Sequence, residues 1–324
     1  MIIVNASAAR EGGALTILES FCRSIESTSE RYLILSPRKP NITANGNITW
    51  IRIETFGLGT LIFALLLVYY YVVKYNARKI ISFSNLNVVL PVDEKVTYFH
   101  QLLVFKSSDF KFKIYRFLLR FFFQSKSTFI VQTNYVKSLF LSTIPQCRSI
   151  EVRWPGIDLS GDFDFAQDVE IDIDIGSYDR VFIFPVSDIS LMHKNYMYLE
   201  GVHDEFKAKN ILVLIPTNVC TGLSNYHSIG YKSRSDWLRL LKCCDGVIVT
   251  SLYETICLPI FESIVLNKIS LVLKADYIDG LLETFGCIDN LFVFESVDEL
   301  LSCLYEKASV IPDSKKYTLP DWRI

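Results

Sequence analysis

Two glutamates with seven residues between them, Glu254 and Glu262, stand in the segment Ser251-Leu-Tyr-Glu-Thr-Ile-Cys-Leu-Pro-Ile-Phe-Glu-Ser-Ile264. The apolar run 246–250 before them reads as a strand. Glu254 then falls in the loop at its carboxyl edge, and Glu262 in the helix that follows. A carboxylate offers two acceptor oxygens to hydroxyl donors, and the carboxyl edge of an open α/β sheet is where ligands bind. A second feature is Glu11-Gly12-Gly13-Ala14, which joins a β-branched run at 1–5 to an apolar-periodic stretch at 14–25. That pattern reads strand, glycine loop, helix, and a helix start supplies free N–H groups for an anion. Other chemistries are not spelled out. The chain has no H-E-x-x-H, no paired Cys/His ligand set, no P-loop and no G-x-S-x-G elbow. Asp172-Ile-Asp174 reads either as a D-x-D metal site or as part of the acidic alternation from Glu170 to Asp174. The second reading is the expectation, with no metal and no cofactor.

The elements that must position these residues recur along the chain. Strands are expected at 31–36, 48–53, 79–83, 96–99 and 128–132. After Pro155-Gly156 and an acidic stretch the alternation restarts, with strands at 180–184, 210–216, 246–250 and 269–273 and helices at 194–207, 235–243 and 258–266. Two such sets argue for two Rossmann-like domains facing each other across a cleft. The expected boundaries are 1–155, an acidic linker at 156–178, and 179–324 with a C-terminal tail.

Charge divides the same way. The 324 residues carry a net charge of only −2, yet residues 1–150 hold 18 Lys/Arg against 8 Asp/Glu. The remainder holds 15 against 27. A basic first half is suited to phosphates, nucleic acid or an anionic membrane surface, whereas the acidic second half is unsuited to polyanions. No nucleic-acid recognition motif accompanies the basic charge, so no nucleic-acid partner is expected. The eight cysteines show no C-x-x-C spacing, consistent with free thiols in a reducing compartment. The first residues lack the basic and long apolar regions of a signal peptide, and a cytoplasmic location is expected.

Two apolar stretches bear on membranes. Phe56 to Val73 runs eighteen residues without a charge, the lower limit for a spanning helix. Its place in the alternation instead favours a buried or interfacial helix of the first domain. From Lys106 to Lys126, six basic residues interleave with Phe and Leu against the single acid Asp109. Such a helix either lies on an anionic leaflet or presents a solvated face beside the core.

The pattern S-x-x-E-T-x-x-L-P-x-x-E resembles the signature of retaining GT-B glycosyltransferases of family 4, which use nucleotide sugars. The resemblance implies that Glu262 accepts hydrogen bonds from the donor ribose, that Glu254 helps hold the transferred sugar, and that Thr255 and Leu258 belong to the donor site. Cys257 stands where the family usually has glycine. Gly12 and Gly13 match the family's first glycine loop, near the donor diphosphate or the acceptor. His100, in Tyr98-Phe99-His100-Gln101, matches a histidine that reaches the donor sugar from the first domain. Lys194 matches the lysine of a diphosphate clamp. The clamp's arginine has no counterpart in Pro185-Val186-Ser187-Asp188, so Lys194 carries more of the charge.

The expected reaction moves a sugar from a UDP- or GDP-linked donor to a polyprenyl-diphosphate-linked glycan, as in O-antigen or capsule synthesis. The enzyme would rest on anionic lipids of the inner membrane face. Another GT-B-like nucleotide-sugar enzyme, of the epimerase type, and a non-catalytic binding protein are the competing readings.

Overall fold

A computed structural model of the chain describes residues 1–41, 46–121, 124–147, 149–159 and 171–324. Much of the acidic stretch expected as a linker, residues 160–170, lies outside the described residues. The chain divides into two units, one formed by Met1–Gly156 with Leu319–Ile324 and the other by Ile157–Thr318.

In the first unit, β1 (Ile2–Asn5), β2 (Tyr32–Ser36), β3 (Ile48–Arg52), β4 (Lys79–Ser82), β5 (Glu94–Tyr98), β6 (Thr128–Val131) and β7 (Ser149–Val152) form one parallel sheet. Its order is β3-β2-β1-β4-β5-β6-β7. In the second, β8 (Arg180–Ile183), β9 (Ile211–Ile215), β10 (Tyr226–Ser228), β11 (Gly246–Val249), β12 (Ile269–Leu273) and β13 (Leu291–Phe294) form another, in the order β10-β9-β8-β11-β12-β13. Both orders run outward from the first strand and then reverse, which is the doubly wound Rossmann arrangement. Helices flank each sheet, and the two Rossmann-like lobes constitute a GT-B fold.

Central strands such as β2, β9 and β12 are buried along their whole length. Continuous apolar runs are what a parallel sheet covered on both faces requires. Three strands had no clear expectation: β7, β10 and β13. All three lie at or near sheet edges, and β7 and β13 carry half-exposed residues that weaken the apolar signal.

The helix expected over 194–207 is in fact two short ones, Tyr196–Glu200 and His203–Ala208. Asn195 precedes them in the left-handed region at φ 55°, a conformation asparagine tolerates better than most residues. Gly201 and Val202 separate them.

The charge-free stretch 56–73 folds as Leu58–Ile62, a π-turn at Phe63–Leu67 and Tyr69–Lys74. Phe63, Val68 and Val72 pack with Ile3, Leu33 and Ile80 of the sheet. The π-turn closes with a Val68 N–H to Phe63 carbonyl bond of 2.9 Å, and the extra residue rephases the helix between its two buried groups. The opposite face leaves Phe56, Leu58, Ile62, Leu67, Tyr70 and Val73 exposed. Among the described residues, no helix is long and apolar enough to cross a membrane.

The tail, expected with the second domain, packs on the first unit instead. The Asp321 N–H donates to the Trp154 carbonyl at 2.8 Å, and Arg153 pairs with the Asp321 carboxylate at 3.0 Å. Trp322 lies 5.4 to 6.0 Å from the rings of Phe21, Phe83 and Tyr98, and its indole N–H donates to Ser20 at 3.1 Å.

Candidate active site

The strand order of the second unit reverses between β8 and β11, and the loops that leave those two strands carry the charged residues singled out above. They are tied directly to each other. Thr250 Oγ1 donates to the Lys194 and Asn195 carbonyls at 2.9 and 3.0 Å, and the Leu252 N–H donates to the His193 carbonyl at 2.8 Å. At the opposite end of β11, a Cβ on Gly246 would lie 2.0 Å from the Ile269 carbonyl oxygen of β12, so only glycine fits there.

Lys194 and Glu254 meet as an ion pair, Nζ to Oε1. Their side chains are 22% and 17% exposed, so the pair is reachable but largely desolvated. Burial is the strongest single influence on Lys194 and works against its charge, yet the attraction and hydrogen bond of Glu254, together with Cys257, outweigh it and hold the ammonium above its ordinary range. The lysine therefore stays cationic at neutral pH.

Glu262 lies in the helix Leu258–Val265, and its side chain is only 2% exposed. One carboxylate oxygen pairs with Arg234, and the other accepts a 2.6 Å hydrogen bond from the Trp237 indole. Arg234 also donates to the Asp158 carbonyl at 3.2 Å. Ser233 caps the helix Arg234–Cys243 that carries both partners, accepting from the Asp236 N–H. Each oxygen of Glu262 thus accepts from one named donor group.

Thr255 and Leu258 are buried beside these pairs in sequence. Cys257, at the glycine position of the signature, is 5% exposed and is the residue before the helix. Burial first, then the Glu254 charge, pushes its thiol well above the usual range, so it stays neutral. It is a buried hydrophobe within electrostatic reach of Lys194, Glu254 and Glu262. Tyr277, in the first turn after β12, is 1% exposed and its hydroxyl has no hydrogen-bond partner. Glu254 and Cys257 both act on it electrostatically.

In the first unit, Gly12 opens the helix Gly12–Ile25 at φ +59°, the left-handed region, with Gly13 following it in the first turn. Nothing lies within 4 Å of where a Gly12 Cβ would stand, so the glycine is needed for its backbone and not for space. Nearby in the sheet order, Asn5 of β1 donates to Ser82 of β4 at 3.4 Å, and the Ser7 and Ser84 hydroxyls lie 3.3 Å apart. His100 follows β5. Its N–H donates to Asn85 Oδ1 at 2.7 Å, and its Nδ1 is buried without a partner. Burial pushes the imidazole down to about 4, so it is neutral at pH 7.

The structure thus brings Lys194 to Glu254 and places Glu262 in a second pair beside it in sequence. Arg234, Trp237 and Tyr277 were not singled out from the sequence. Only the S-x-x-D start of the one helix that carries Arg234 and Trp237, Ser233 to Asp236, marks that pair, and Tyr277 carries no motif at all. Asp172 and Asp174 show no ligand cluster: among the described residues no group of three or more His, Cys, Asp or Glu could hold a metal ion. Asp174 instead accepts from the Gly176 N–H at 3.0 Å.

The fold and this switch-point arrangement define the class as GT-B. Solved structures agree. WaaG, a glycosyltransferase involved in lipopolysaccharide biosynthesis, superposes with a TM-score of 0.64 at 12% identity, over 94% of this chain and 89% of its own. Anabaena Alr3699/HepE, in complex with UDP and glucose, gives 0.63 at 15%, over 98% and 91%. Sucrose-phosphate synthase from Thermosynechococcus elongatus gives 0.64 at 11%, over 98% and 90%. No family model matches the chain, and no curated protein sequence does.

Proposed function

We propose that this chain is a retaining glycosyltransferase of family 4. It transfers a hexose from a UDP- or GDP-linked donor to a polyprenyl-diphosphate-linked glycan, in O-antigen or capsular polysaccharide synthesis at the cytoplasmic face of the membrane. The observation that carries the reading is the Lys194–Glu254 pair at the point where the second sheet reverses. A cation there stabilises a diphosphate as it departs, and the neighbouring carboxylate holds sugar hydroxyls; both act by preorganised charge. The bond from the anomeric carbon to the diphosphate breaks through an oxocarbenium-like transition state. The acceptor hydroxyl enters on the face the diphosphate leaves, giving retention, and its proton goes to the departing phosphate oxygen. His100, neutral by burial, contributes hydrogen bonding and not charge.

The acceptor reading rests on the first unit. Its helix Phe110–Phe121 exposes Phe110, Phe117 and Phe121 among Lys111, Lys113 and Arg120, a combination suited to an anionic lipid interface. The exposed apolar face between Phe56 and Val73 adds to it. Solved relatives support the same direction: WaaG is involved in lipopolysaccharide biosynthesis, and HepE has been solved with UDP-glucose. The test is incubation of purified protein with a panel of nucleotide sugars and a polyprenyl-diphosphate glycan, read by product mass. One donor consumed with a hexose added to the lipid supports the assignment; no product and no nucleotide release with any donor overturns it.

A further inference from the structure

The clamp of the second unit has a lysine but no arginine at 185–188, while an arginine not predicted for the site holds the ribose glutamate. We propose that Arg234 is the second phosphate-binding cation of the donor site, and that a nucleotide diphosphate and Glu262 exchange it between them. This inference rests on the nucleotide-sugar reading above and deepens it.

A ribose diol must compete for Glu262, since each of its oxygens already accepts a bond from within the chain. Of its two partners, Trp237 is a rigid ring on a single donor. Arg234 is a long, mobile chain whose side chain is 25% exposed, with five N–H donors in a planar fork. Arg234 is the partner that can leave. A neutral diol alone would strand a partly buried guanidinium without a counter-ion, and an anion alone would strand a Glu262 carboxylate that is nearly fully buried. A ligand bearing both groups satisfies both at once: the diphosphate receives the guanidinium fork and the diol receives the carboxylate. Arg234 is well matched to this, since its fork binds phosphate oxygens in pairs. Lys194, within reach of the same buried Cys257 thiol as Glu262, supplies the other positive charge. The site thereby selects nucleoside diphosphates over nucleosides and over free diphosphate, by coupling two exchanges that are each unfavourable alone.

Calorimetric titration of the full chain with uridine, pyrophosphate and UDP, and with guanosine and GDP, tests it. In the natural protein the nucleoside diphosphate binds at least 100-fold more tightly than either part. Arg234→Ala weakens the diphosphate at least tenfold, while the nucleoside binds as well as before or better, because Glu262 is already released. Arg234→Gln keeps a hydrogen bond to Glu262 without the charge and guards against a folding defect; it also weakens the diphosphate at least tenfold. Undiminished diphosphate binding in a folded Arg234→Gln protein overturns the inference, as does an equal loss for nucleoside and diphosphate. If the natural protein binds neither UDP nor GDP, the nucleotide-sugar reading itself fails, and that outcome is distinct from the previous two.

Discussion

The two lobes share one strand order and differ in almost everything they expose. The first is basic and shows large apolar side chains along two helices; the second is acidic overall and concentrates its site charges into two pairs, Lys194–Glu254 and Arg234–Glu262. Rossmann topology therefore fixes where a site forms, at the reversal of strand order, and leaves its chemistry to the loops. In the second lobe those loops carry full charges held in low-dielectric surroundings. In the first they carry the hydroxyls and amides of Asn5, Ser7, Ser82 and Ser84, with a neutral histidine beside them. That contrast fits the proposed function, with the second lobe taking the anion and the first a neutral or hydroxyl-rich ligand.

If that division holds, the largest effect falls on the charged pair. Glu254→Gln, which retains size and a hydrogen bond to Lys194, lowers kcat/KM for sugar transfer by about 100-fold or more, and lowers the melting temperature because Lys194 loses its counter-ion in a largely desolvated place. A modest loss of activity would move the chemistry out of the second lobe. Gly246→Ala drives a Cβ into the Ile269 carbonyl and costs the second lobe about 3 kcal/mol, measured as a urea midpoint. Replacing Lys111 and Lys113 together by glutamine weakens partition onto vesicles of anionic lipid by about 2 kcal/mol at physiological salt, with nucleotide affinity unchanged. Vesicle binding that persists would assign the contact to the apolar face at 56–73 alone. Gly12→Ala forces a left-handed backbone on a side chain and costs the first lobe about 1 kcal/mol, with no clash to relieve.

The smallest effect concerns pH. His100 titrates near 4 in the folded chain against an ordinary 6.5, so the unfolded chain takes up its proton first as the pH falls. The stabilisation is complete above about pH 6.5 and is lost progressively toward pH 4. His100→Asn flattens that part of the urea-midpoint profile, and an unaltered slope would mean that His100 is not kept neutral by its surroundings.

Much of the architecture was legible because parallel strands are written as apolar runs: β1, β2, β9, β11 and β12 all lie where such runs predict them. Edge and near-edge strands β7, β10 and β13 were not, since half-exposed strands mix polar residues into the run. The site was half legible. Glu254 and Glu262 stand out because a short motif fixes their spacing, and Lys194 by its resemblance to a clamp lysine, whereas the ion pair between Lys194 and Glu254 spans 60 positions of sequence that no local pattern encodes. Arg234 and Trp237 meet Glu262 from a separate helix, and helix-to-helix contacts leave no periodic trace in a single chain. The homing of the last six residues onto the first lobe was likewise unreadable, because Trp322 has one indole donor and a flat ring but no flanking repeat.

That final tryptophan has a consequence for biosynthesis. The aromatic floor it covers, built from Phe21, Phe83 and Tyr98, belongs to a lobe whose strands leave the ribosome well before residue 322 does. Through the whole translation of the second lobe that floor stays uncapped, and the first lobe is completed only when residues 319–324 arrive to close it. Deleting 319–324 should therefore leave a nascent-like lobe that sticks to hydrophobic dyes and to chaperones while the second lobe folds normally.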